Sequence, residues 1–145
     1  MHGLHQTAAA YDAEDAVLSR TRVNMLGAHA VYDNNGWELI AEAYRLRNHD
    51  LAGGDRHASQ LGYVHVGHSI RERWLPYVRW EKASLNQADN YFAALANGRS
   101  YTRSVLGMRY NLDPRAALKV EFNRTDDQGI GHSVDEWRLQ YAVGF

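Results

Sequence analysis

The sequence predicts an all-β fold: an antiparallel up-and-down meander of about seven strands with its apolar residues gathered on one face. Three observations carry this. Apolar and polar residues alternate with period 2 along most of the chain. Short and long connections alternate without exception. The chain is rich in amphipathic aromatics, with 9 Tyr and 4 Trp in 145 residues, and has only 2 Pro to interrupt a sheet.

The C-terminal segment shows the alternation most clearly. Trp137, Leu139, Tyr141, Val143 and Phe145 share one parity, and Arg138, Gln140, Ala142 and Gly144 hold the other. Leu118, Val120 and Phe122 repeat it against Lys119, Glu121 and Asn123. Leu106, Met108 and Tyr110 oppose Arg103, Val105, Gly107 and Arg109. Trp74, Pro76, Val78 and Trp80 oppose Leu75, Tyr77, Arg79 and Glu81, while Trp37, Leu39, Ala41 and Ala43 oppose Glu38, Ile40, Glu42 and Tyr44. Two further strands are less sharply patterned. Residues 22–32 place Leu26, Ala28, Ala30 and Tyr32 on the apolar parity, and residues 60–70 place Val64, Val66 and Ile70 there. Each segment has roughly the 9–11 residues that a tilted membrane strand needs.

The connections add a second signal. Asp33-Asn-Asn-Gly36 reads as a tight hairpin turn, because Asn and Gly accept the positive φ that such turns demand. Residues 70–74 and 111–115 are also short, the latter with Pro114 where no ladder donor is required. Residues 49–59, 84–100 and 125–134 are longer and polar. A barrel inserted across a membrane has tight turns on one rim and long loops on the other. Tyr32, Trp37, Trp74, Tyr110 and Phe145 all flank the short-turn side, where an interfacial aromatic girdle belongs. Residues 1–19 fit neither pattern and are expected to form a loop or irregular segment, leaving 20–145 as the barrel segment.

Composition excludes several classes. Lys and Arg total 16 and Asp and Glu 17, so the formal net charge of -1 offers nucleic acid no basic footprint. With no cysteine, disulfide scaffolds, thiolate metal sites and cysteine nucleophiles are ruled out. Mean hydropathy is -0.55, and no apolar run approaches the roughly 18 residues of a spanning helix. The 8 histidines do not assemble a metal site. His65 and His68 stand three apart, on opposite faces of a strand, and His49, His57 and His132 lie in or beside loops. Ser104 and His68 have no third group to orient them, so no catalytic activity and no cofactor are expected.

Charges on the parity opposite the apolar one are Glu38, Glu42, Arg79, Glu81, Arg103, Arg109, Lys119, Glu121 and Arg138. They are the candidate lumen-lining residues, since a charge facing lipid at mid-membrane costs about 2–4 kcal/mol. Cross-strand pairing of Glu121 with Arg138 or Arg109 is the natural way to neutralise part of the set.

The tail Tyr141-Ala-Val-Gly-Phe145 resembles the C-terminal signature of Gram-negative outer-membrane β-barrel proteins, with Leu139, Tyr141, Val143 and Phe145 at alternate positions. Residues 74–80 and 107–114 look like strands of porin-like barrels. The resemblance covers residues 20–145 as a pattern and implies a bacterial outer-membrane location, contact with outer-membrane lipid, and recognition of the last strand by the barrel-assembly machinery. It implies porin-like passive transport of small polar solutes or ions, and leaves homo-oligomerisation open. Single-chain bacterial barrels have an even strand number, so an odd count is expected to mark a C-terminal part of a larger barrel, open or incompletely closed. The alternative is a soluble lipocalin-like barrel that turns its apolar face inward around a small apolar ligand. The parity pattern is symmetric to that inversion.

Overall fold

The computed structural model describes residues 1–11, 17–96, 99–129 and 131–144. Eight strands pair in chain order into one open antiparallel sheet. They are β1 (His2–Tyr11), β2 (Val17–Asn34), β3 (Trp37–Asp50), β4 (Arg56–His68), β5 (Trp74–Ser84), β6 (Tyr101–Asp113), β7 (Ala116–Asp127) and β8 (Ser133–Val143). A short helix, α1 (Asn90–Ala96), interrupts the β5–β6 connection.

The meander follows from local sequence. Asn35 and Gly36 take φ of 51° and 79°, the left-handed pair that closes a two-residue hairpin with the twist of its flanking strands. At the next turn on that rim, Arg71 and Glu72 are left-handed instead, without glycine, and Ile70 bridges Trp74. β4 therefore ends at His68, and Ile70 belongs to the turn rather than to the strand expected over 60–70. A register shift between Asn111 and Asp113 accommodates the Pro114 turn.

The strand count and the N-terminal segment depart from expectation. Residues 2–11 are not irregular: β1 pairs with β2 from His2↔Gly27 to Tyr11↔Val17, making eight strands rather than seven. This segment has little β propensity and no alternating pattern, so its strand character comes from its neighbour. β2 is 18 residues long and offers a free ladder edge, and such context overrides propensity. His2 is fixed by ring contacts with Tyr44 and His29 at 5.5 and 5.9 Å between centroids.

The two faces are unequal. Leu75, Tyr77, Val105, Gly107, Glu121 and Asn123 are buried on one parity although no second layer of strands covers them. That burial requires the sheet to curve toward them. On the opposite parity Leu106 is 62% exposed, and Val64, Val78, Trp80 and Val120 are exposed too. β8 is exposed on both parities because it forms a free edge. The described ladders do not join β8 to β1.

Candidate functional site

The polar face is organised around a row of cross-strand neighbours: Glu38, Gly67, Tyr77, Gly107, Glu121 and Arg138, one from each of β3 to β8. Two of these being glycine decides the geometry. The Tyr77 ring lies down across Gly107, where a β-carbon would stand 2.0 Å from the ring's Cζ. Its hydroxyl then donates to Glu121 Oε1 at 2.6 Å, two strands away. On its other side the ring stacks on His65 at 4.7 Å. The same device recurs near the N-terminus, where His2 and Tyr44 close over Gly27.

Charged groups fill the space around Tyr77. Lys119 Nζ is 3.0 Å from Glu121 Oε1, and Arg79 is 3.9 Å from that same oxygen. Arg79 also meets Glu81 at 2.8 Å, and Glu81 meets Arg103 at 3.5 Å. Arg103 Nε donates to Thr125 at 2.9 Å. Glu38 stands 3.0 Å from His65 Nε2 and 3.8 Å from Arg109, which comes from three strands away. Glu42 accepts from the Tyr44 hydroxyl at 2.8 Å.

All nine candidate charges therefore share one face, and eight of them join these contacts. The pairing differs from the sequence expectation. Glu121 takes Tyr77, Lys119 and Arg79 rather than Arg138 or Arg109. Arg138 turns to Glu136 on its own strand at 2.7 Å, because β8 is an edge and lies at the rim of the network. Lys119 reaches Glu121 along its own strand, while Tyr77 reaches it across Gly107 from two strands away.

At the opposite end, the β5–β6 connection folds onto the same face. Asp89 caps α1, accepting from the Tyr91 amide at 3.0 Å, while its second oxygen accepts from Asn48 Nδ2 at 2.7 Å. Asn90 donates to Asp50 at 2.6 Å, and the Asn86 amide donates to Ser59 at 3.0 Å. Phe92 packs with Val23 and Leu46, flanked by Ala8, Met25 and Leu61. The Ala52 amide foremost, with that of Gly53 and the Asn90 side chain, holds the Asp50 carboxyl below its usual range against the opposing effect of burial. The sequence of 84–100 reads as a polar loop, whereas the structure places a helix within it. The signal for a helix was Asp89 ahead of Tyr91 and Phe92, a cap before apolar residues.

The apolar parity carries aromatics at two heights. Trp37 packs edge-on to His68, and Trp74 packs on Tyr110, beside the short turns. A second level, missed in the sequence, holds Trp80 and the Phe122–Trp137 pair toward the long loops. Leu139, Tyr141 and Val143 lie exposed on this parity, while Phe145 lies outside the described residues. His65 and His68 fall on opposite faces, and no cluster of three or more metal-ligating side chains occurs among the described residues. Comparison with family models, curated proteins and solved structures found no match.

Proposed function

We propose that the chain forms wall of a bacterial outer-membrane β-barrel and passes small polar solutes or ions by diffusion along its polar face. The observation that carries this reading is the sidedness of the sheet. Over β5–β7, Tyr77, Arg79, Lys119 and Glu121 occupy the inward parity, and Val78, Trp80, Leu106 and Val120 stay exposed on the outward one. Hydrocarbon is the solvent that makes such an outward face favourable. A soluble carrier for an apolar ligand needs the reverse, with Trp80, Leu106 and Val120 inside. The two aromatic levels match the two interfaces of a bilayer.

In this reading the ion-paired network lines the passage, and α1 narrows its long-loop mouth. Bore and lining charge then set which solutes pass. The free ladder edges of β1 and β8 become paired in the membrane, since each open N–H or C=O in hydrocarbon costs several kcal/mol. The alternating side chains of β8 at such an edge suit recognition by the barrel-assembly machinery.

The test is refolding of the chain into phosphatidylcholine vesicles, read by tryptophan emission and protease protection, followed by conductance across planar bilayers. Protected, ion-conducting protein is the expected result. A chain that stays water-soluble, monomeric and protease-sensitive would sink the proposal.

A further inference from the structure

Arg20, Arg22, Arg45, Arg47, Arg56 and Lys82 all stand exposed on β2–β5. Register puts every one of them on the outward parity. Leu26 is beside Arg45, Arg22 is beside His49, and His49 is beside Arg56. Lys82 follows Trp80 on the same side of β5. They cluster on the long-loop side of the apolar belt, where the belt ends at Ala43 and Trp80. Among the described residues no carboxylate lies within ion-pair distance of any of them, whereas Arg124 on β7 is matched by Asp135 at 3.0 Å. Arg20 and Arg22 on β2, and Arg45 and Arg47 on β3, are second neighbours on one face of their strands, and a patch of one sign of charge attracts an anion.

The surface beneath the cluster is shaped as well as charged. Ala28, Ala41, Ala43 and Gly62 leave a trough of about 810 Å³ between Leu26 and Trp80, and Arg45 and Lys82 line it as well. Apolar below and cationic above is complementary to an amphiphile with an anionic head and a hydrocarbon tail. Arginine matches a phosphate bidentately, and both Arg and Lys snorkel their charge upward from an apolar stem.

We infer that the outward face of β2–β5 binds anionic lipid, its phosphate head held by Arg45 and Lys82 at the rim of the small-residue trough and an acyl chain lying in the trough. The inference rests on the membrane-barrel reading and adds a specific lipid class and place to it. The occupant belongs to the leaflet on the long-loop side.

The test uses the unmutated chain inserted in phosphatidylcholine vesicles that carry trace spin-labelled phosphatidylglycerol or spin-labelled phosphatidylcholine. The motionally restricted fraction reports the lipid at the protein surface. Surface cations attract anionic lipid strongly enough to expect phosphatidylglycerol enriched about three-fold or more at low salt. The enrichment should collapse in high salt, and should fall toward parity in a variant combining Arg45→Gln and Lys82→Gln. Equal association of the two lipids would overturn the inference while leaving the barrel reading intact, and so would enrichment that survives the variant. Should the variant not insert, the unmutated chain decides: enrichment insensitive to salt overturns the inference. Failure of the unmutated chain to insert overturns the barrel reading and this inference together.

Discussion

The Tyr77 hydroxyl reaches Glu121 Oε1 at 2.6 Å by passing over Gly107, which lies between them on β6. Three strands are thereby tied together on the polar face by one ring. Tyr77 and Glu121 are only 5% and 6% exposed, so the bond joins a phenol and a carboxylate that have little water to fall back on.

Replacing Gly107 with Ala places a methyl group 2.0 Å from the Tyr77 ring and forces the ring off its shelf. A destabilisation of about 1–3 kcal/mol is expected, the usual scale for overpacking. Gly3→Ala meets only a carbonyl at 3.6 Å and should be nearly neutral. Urea midpoints of the folded protein in detergent compare the two.

Glu121→Gln removes the carboxylate that Lys119 and Arg79 share. The polar face then carries two cations with less compensation. Reversal potentials across planar bilayers should shift toward anion preference, and Lys119→Ala should move them the opposite way. An unchanged reversal potential in both would place the network away from the conducting path.

Val120 stands on the exposed apolar parity of β7, between Leu118 and Phe122. Val120→Arg should cost about 2–4 kcal/mol in the membrane and block insertion. Ser104→Arg lies on the same parity of β6 but at the edge of the belt, level with Trp80 and Arg124, where a charge costs at most about 1 kcal/mol, and should insert nearly as the parent does. Protease protection in vesicles reads both.

Asp89→Ala removes the α1 cap and the partner of Asn48. Loss of a cap costs about 1 kcal/mol, enough to raise hydrogen exchange and proteolytic cutting within 85–96 while the strands stay protected. Asp50, which holds Asn90, has a lowered pKa in the folded chain. Its stabilisation is therefore complete above the unfolded carboxylate pKa and is lost as pH falls through the folded value. Acidification should loosen the same segment in the parent chain.

Much of this architecture is legible in residue order. Strict alternation over 137–143 and 118–122 names both the strands and their faces, because side chains of a strand point to opposite sides at every step. Asn35 and Gly36 announce their hairpin through backbone conformation alone. β1 was not legible, since a strand held by its neighbour's ladder needs no pattern of its own. Helix α1 was readable in principle from Asp89 and the aromatics after it.

The sequence by itself determined that the chain is a meander with all its candidate charges on one parity, since period and turn chemistry are local properties. It could not say which face is concave, as the pattern is unchanged by inversion. Nor could it say which charges meet. Gly67, Tyr77, Gly107 and Glu121 become a row only when register aligns four strands, and Tyr77 reaches Glu121 only because the residue between them has no side chain. The outward cations likewise become one patch only when β2 to β5 are laid side by side. Curvature, reach and lateral neighbourhood are properties of the assembled sheet, because hydrogen-bonded register brings together residues that the chain keeps far apart.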